Sequence, residues 1–295
     1  MHTKEGEFTG QGGLRLYWRA LLPDGEVRAA LMVAHGYGEH GGRYGNLVDW
    51  LVPRGIAIYA LDHRGHGRSE GPRGHVGRFA EFTADLHAFR VRVEEEDRGK
   101  PLFLLGHSLG GLIVVRYLLV HASGLAGGIL SSPALGLADP PTRLRRWLAR
   151  VLSVIAPRAS FQTDVRPESL SRDSAVGRAY AADPLVHKRA TARFFTELER
   201  AMRDADERAP EIRLPILILQ AGDDRLVDAR ATERFAGKVA SAVKELHVYP
   251  KFFHEIFNEI DEQRVRGDLE GWIEARLAAA AGESIASSGG GCYRS

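Results

Sequence analysis

The chain has 295 residues, 44% of them hydrophobic and 26% charged, a balance ordinary for a soluble globular protein long enough to bury a sizeable core. Lys and Arg number 40 against 38 Asp and Glu, a net charge of +2, which is too even to point to nucleic acid as a partner. The single cysteine, Cys292, excludes an internal disulfide and a cysteine-based metal cluster.

The first pattern in the chain is a hairpin, residues 6–10 and 14–21, turned across Gly12 and Gly13. Short apolar runs follow at 29–35 (AALMVAH), 55–61 (GIAIYAL), 101–105 (PLFLL), 125–130 (LAGGIL), 214–220 (LPILILQ) and 244–249 (KELHVY). Each is bounded by Gly, Pro or charge, which predicts parallel strands buried on both faces. Between them, helical spacing runs through 43–54, 79–98, 109–121, 229–240 and 261–281. This alternation predicts an α/β fold, an open parallel sheet with helices on both faces.

Residues 134–208 break the rhythm. They hold no good strand pattern and are rich in Arg, Ala, Pro and Asp. They are expected to form a mostly helical cap set between two parts of the core, 1–133 and 209–281. Residues 282–295 are rich in Ser and Gly and read as a flexible tail. Within the cap, the stretch 144–155 puts Leu144, Trp147, Leu148, Val151 and Ile155 on one helical face, with Arg143, Arg145, Arg146 and Arg150 mostly elsewhere. Such a stripe ordinarily packs into a core, so it is expected to lie down on the sheet and line a pocket. Its rival is transient contact with a membrane surface. No run of about 18 apolar residues occurs, and MHTKEGEFTG lacks the apolar stretch of a signal peptide. The expected location is the cytoplasm, peripheral to a membrane if the rival holds.

The chemistry is concentrated at Gly106-His107-Ser108-Leu109-Gly110, a G-x-S-x-G pattern directly after the strand PLFLL and directly before a helix. That context makes Ser108 a nucleophile on a sharp strand-to-helix turn. A serine hydroxyl needs a base and an orienting acid, which in this fold follow later in the chain. AGDDRLVD after the next-to-last strand supplies Asp223, Asp224 and Asp228, and PKFFHEIFNE after the last supplies His254. Asp228 is placed to cap the following helix, and spacing does not separate Asp223 from Asp224. The oxyanion hole needs two backbone donors. Leu109, next after the nucleophile, offers one, and Tyr37, in the Gly-rich loop after the strand ALMVA, offers the other. His63-x-x-His66 lacks the partners of a metal site, and Arg64–Ser69 lacks the ending of a phosphate loop. No metal or cofactor is expected.

Read together, HGYGEHGGRY at 35–44, DHRGHGRSEG at 62–71, GHSLGG at 106–111, QAGDDRLVD at 220–228 and the late His254 resemble the α/β-hydrolase superfamily, and within it the monoacylglycerol lipases and lysophospholipase-like hydrolases. The resemblance implies an eight-stranded, mostly parallel sheet with a helical cap after strand six. It points to Asp224 rather than Asp223 and supports Tyr37 and Leu109 as oxyanion donors. The implied activity is serine-dependent ester hydrolysis, with a small single-chain lipid ester, a monoacylglycerol, as substrate. Lysophospholipids and short-chain esters are the alternatives on the same triad, and a catalytically silent binding protein is the remote one.

Overall fold

The computed structural model describes residues 1–163 and 165–288. Eight strands form one sheet in the order β1-β2-β4-β3-β5-β6-β9-β10. β1 (His2–Thr9) and β2 (Arg15–Leu22) make an antiparallel hairpin at one edge. β3 (Ala29–Ala34), β4 (Ile56–Leu61), β5 (Leu102–His107), β6 (Gly127–Ser131), β9 (Ile216–Ala221) and β10 (Lys244–Tyr249) run parallel to one another.

Every residue of β3, β4, β5, β6 and β9 is buried, as unbroken apolar runs require when helices cover both faces. Alternation divides the core in two. Met32, Leu104 and Ile218 pack with Phe82 and Phe89 of α2 (Ala80–Glu96) and with α3 (Leu109–His121). Leu31, Val33, Phe103 and Leu217 face α1 (Gly45–Leu51) and the last helix on the other side. β10 differs from the buried strand expected, because Glu245 and Leu246 are exposed. It is the sheet edge with one neighbour, β9, and its charges suit an edge that must not recruit another strand.

The segment between β6 and β9 is not purely helical. It carries α4 (Arg143–Ile155), β7 (Ser160–Gln162), α5 (Ser174–Ala182), β8 (Arg189–Thr191) and α6 (Ala192–Arg208). β7 and β8 pair antiparallel as a separate two-stranded sheet. Three-residue strands are too short for period-two alternation to register in sequence. α6 is the anchor of this segment, burying Phe194, Ala201, Met202 and Ala205.

α4 corrects the expectation that its apolar stripe packs down on the sheet. Its only buried residue is Ser153, whose hydroxyl lies 2.9 Å from Thr196 Oγ1 of α6. Arg146 on the same side pairs with Glu199. The polar side therefore faces the protein, and Trp147, Val154 and Ile155 stay 58%, 76% and 73% exposed.

α7 (Ala229–Lys238) starts at Asp228, whose carboxylate accepts from the Arg230 N–H. α8 (Gln263–Ser288) runs past Gly282, so the expected tail is helical as far as Ser288. Residues 289–295, with Cys292, lie outside the described residues. Among the described residues no helix is long and apolar enough to cross a membrane.

Candidate active site

The sheet places its crevice by topology. After β3 the chain steps to β4 on one side, and after β4 it crosses to β5 on the other side of β3. Ligand sites in open α/β sheets form at such reversals, outside the carboxyl ends of the strands. The β3 end leads into the Tyr37 loop and the β5 end into Ser108.

Ser108 has φ 53° and ψ −116°, a conformation unfavourable for a residue with a Cβ. Neighbours hold it there. Its N–H donates to Ser131 O at 2.9 Å, and its carbonyl accepts from Ala134 N at 2.9 Å. The turn is so tight that a methyl on Gly106 would stand 2.3 Å from Gly110 O, and one on Gly110 would stand 1.9 Å from Ala34 O. Only glycine fits at either place. Leu109 is the first residue of α3, where a helix N–H has no intrahelical acceptor and the helix end carries partial positive charge.

Asp224 and His254 come from the turns after β9 and β10. Those turns are hydrogen-bonded to each other, Gly222 N to Tyr249 O at 2.8 Å and Asp223 N to Phe252 O at 3.0 Å. The result is a 2.7 Å contact between His254 Nδ1 and Asp224 Oδ2, with both side chains almost wholly buried. The other Asp224 oxygen accepts from Leu226 and Val227 N–H groups at 2.8 and 3.0 Å. Among the described residues the Asp223 carboxylate has no such partner, and the residue is exposed. Burial raises the Asp224 carboxyl, but His254 and the two N–H groups outweigh it, so its pKa is lowered. Burial pushes the His254 imidazole down, yet Asp224 outweighs that and holds it above the ordinary histidine value.

Ser108, Leu109, Tyr37 and His254 line one cavity of about 230 Å³. Among the described residues no hydrogen bond joins Ser108 to His254. Such contacts often tighten only when substrate binds. His107 packs 4.8 Å from the His254 ring and is pushed down to about 4 by burial and then by His254, so it stays neutral.

The cavity is polar at one end and apolar at the other. Leu137, Phe161, Val165 and Phe194 line the apolar part. A larger groove of about 1040 Å³ shares Leu137, Phe161 and Val165 and is bordered by Leu148 and Leu152 of α4. The polar end is a buried ion cluster absent from the sequence expectations. Arg43 makes a two-pronged pair with Glu255 at 2.7 and 2.9 Å and reaches Glu39 at 2.9 Å. Glu39 is lowered to about 2, burial opposing and Arg43 and nearby imidazoles prevailing. Sequence marks Glu39 and Arg43 only as letters of HGYGEHGGRY. Glu255 lies 212 residues from Arg43, and no local pattern links them.

His35, His63 and His66 pack as a buried cluster of mutually tilted rings, with the His63 and His66 centroids 4.2 and 5.4 Å from that of His35. Burial lowers all three, His63 to about 3. Arg64 is tied to Asp85 at 2.6 and 2.8 Å, so its loop is structural. Among the described residues no group of three or more His, Cys, Asp or Glu is arranged to hold a metal.

Residues 25–261 match the family described as serine aminopeptidase S33, Hydrolase_4. The chain belongs to this family. It is a carboxylic-ester hydrolase on the α/β-hydrolase fold. Among its relatives, the monoacylglycerol lipase of Mycolicibacterium smegmatis is 34% identical over 92% of this chain and 98% of its own. The Homo sapiens monoglyceride lipase is 32% identical over 91% of this chain and 89% of its own. Among solved structures, a soluble variant of Saccharomyces cerevisiae monoglyceride lipase in complex with a substrate analogue superposes with a TM-score of 0.83, at 26% identity. That match covers 92% of this chain and 94% of the yeast one. The eight-stranded, mostly parallel sheet is the one the family resemblance implies.

Proposed function

We propose that this hydrolase cleaves monoacylglycerols to fatty acid and glycerol through an acyl-enzyme on Ser108. The observation that carries the reading is the 2.7 Å His254–Asp224 pair on a cavity that also holds Ser108 and is polar at one end and apolar at the other. The monoacylglycerol and monoglyceride lipases among its relatives support the same substrate.

Ser108 Oγ attacks the acyl carbonyl while His254 Nε2 takes its proton. Asp224 keeps the other imidazole proton on Nδ1 and stabilises the cation that forms. The amides of Tyr37 and Leu109 hold the oxyanion. His254 then returns the proton to the departing glycerol oxygen, and water, deprotonated by the same nitrogen, releases the fatty acid. The acyl chain runs past Phe161 toward the outer groove, and the glycerol hydroxyls face Glu39, Arg43 and Glu255.

Residues 134–208 act as the cap over a core of 1–133 and 209–281, and α4 rests its outward apolar side on a membrane surface. Its side chains lie beside the groove that leads inward, so lipid substrate passes from bilayer to cavity without crossing water.

The test is a turnover panel of monoacylglycerols of several chain lengths, lysophosphatidylcholine and short nitrophenyl esters, with Ser108→Ala as blank. Monoacylglycerols should give the highest kcat/KM. A preference for lysophosphatidylcholine would overturn the head-group assignment, and equal rates for wild type and blank would overturn the mechanism.

A further inference from the structure

The oxyanion loop contains a hydrogen-bond relay whose direction is fixed by chemistry. His35 is wholly buried. Its Nε2 lies 2.9 Å from the backbone N–H of His63, a group that only donates. Nε2 must therefore be the bare nitrogen. A neutral imidazole then carries its proton on Nδ1, and Nδ1 lies 2.7 Å from Gly36 O, a group that only accepts. One tautomer satisfies both contacts.

The acceptor belongs to the Gly36–Tyr37 peptide. In a trans peptide the C=O and the following N–H point to opposite sides of one rigid plane. Holding Gly36 O on the His35 side therefore turns the Tyr37 N–H to the other side. That N–H has no acceptor among the described residues. The preceding peptide is pinned as well, because Gly36 N–H donates to Glu39 Oε1 at 2.6 Å. The pinned backbone is next to the nucleophile: a methyl on Gly36 would stand 3.3 Å from Ser108 Cβ.

We propose that His35 is the positioning residue of the oxyanion hole, acting as a fixed Nδ1–H tautomer that clamps Gly36 O and so aims the Tyr37 amide at the reacting carbonyl oxygen. His35 touches no substrate atom and transfers no proton. This rests on the reading of Tyr37 as an oxyanion donor. Burial also lowers the His35 pKa well below the ordinary value, so the clamp keeps its neutral form through the working pH range. Without it, the Gly36–Tyr37 peptide is free to flip, which would turn a carbonyl toward the oxyanion in place of a donor.

The test compares His35→Leu with His35→Asn, side chains of nearly equal shape of which only Asn offers an N–H near the place of Nδ1. Both lose the acceptor for His63, so the comparison isolates the bond to Gly36 O. Loss of one oxyanion donor costs about 10²–10³-fold in kcat. His35→Leu should show that loss with KM within about threefold, and a trifluoromethyl ketone, which forms a tetrahedral adduct, should lose affinity by a matching factor. His35→Asn should recover at least about tenfold of the rate.

A folded His35→Leu with kcat near wild type, or a His35→Asn no better than His35→Leu, overturns the proposal. The wild-type protein gives a second readout that needs no variant to fold. Imidazole ¹⁵N shifts should report His35 with Nδ1 protonated and Nε2 bare, unchanged across neutral pH; the opposite tautomer rejects the clamp. Fluorophosphonate labelling of Ser108, run alongside, tests the serine-hydrolase reading separately.

Discussion

The outward stripe of α4 supports a quantitative prediction. Six of its side chains, Leu144, Trp147, Leu148, Leu152, Val154 and Ile155, are each 39–76% exposed. At about 1.5–3 kcal/mol for complete burial of one such side chain, their exposed parts together offer roughly 5–10 kcal/mol to an apolar phase. Lost translational freedom offsets much of this, leaving reversible surface binding rather than permanent insertion. Arg143, Arg145 and Arg150 are exposed on the same helix, and each adds about 1 kcal/mol near an anionic surface.

The perturbation is the double change Trp147→Glu and Val154→Glu, seven residues apart and on the same side. It removes side chains 58% and 76% exposed, about 2–4 kcal/mol of apolar contact, before any cost of drawing two carboxylates toward lipid. Partition onto vesicles should fall by at least about 30-fold. Co-sedimentation with phosphatidylcholine–phosphatidylserine vesicles at low and high salt measures it, and wild-type binding should weaken as salt rises. Hydrolysis of a soluble short ester should not change, because these side chains do not line the Ser108 cavity. Equal pelleting of wild type and variant, or no wild-type pelleting at low salt, would refute the reasoning.

Ser108→Ala should lower ester turnover by several orders of magnitude, with residual catalysis of roughly 10³–10⁴ over water; mass spectrometry should find no trapped acyl adduct in it. Asp224→Asn should cut kcat by about 10⁴. In the proposed mechanism His254 works as the neutral base, and Asp224 raises its pKa, so wild-type kcat/KM should fall in acid around a midpoint above the ordinary histidine value. In Asp224→Asn the largest influence opposing burial is gone and only the charges of Glu255 and Glu39 still raise the imidazole, so the midpoint should move down; a pH–rate profile with an unmoved midpoint contradicts the pairing. Glu39 has a folded pKa lowered from 4.5 to about 2, so its stabilisation is present above 4.5 and is lost as pH falls toward 2. That corresponds to about 3 kcal/mol near neutrality. Glu39→Gln should be less stable by about that much at pH 7 in urea, and the gap should narrow to about 1 kcal/mol near pH 3. A gap that does not change with pH would show that the carboxylate charge is not what stabilises the cluster.

The sheet was legible in the sequence because its inner strands are buried on both faces, and burial on both faces leaves unbroken apolar runs such as ALMVA and ILILQ. The tight turn at Ser108 was legible for a related reason. GHSLG places three small residues, Gly106, Ser108 and Gly110, where a tight strand-to-helix turn demands them, and the strand and helix on either side are readable by themselves. These are consequences of local backbone geometry, which a stretch of a dozen residues is enough to specify. Spacing left the choice between Asp223 and Asp224 open, since adjacent residues share a turn; the family resemblance pointed to Asp224, and it is Asp224 that the imidazole of His254 faces.

The tertiary structure decided what depends on neighbours remote in the chain. Nothing in 143–155 states which side of α4 will be covered. α6 offers it Thr196 and Glu199, polar partners that Ser153 and Arg146 can satisfy, so the apolar side is left outward against the ordinary rule. Glu39, Arg43 and Glu255 become one cluster only because the loops after β3 and β10 end at the same edge of the sheet. Periodicity encodes how a segment coils and which of its faces is apolar, whereas burial and charge pairing are properties of two surfaces meeting.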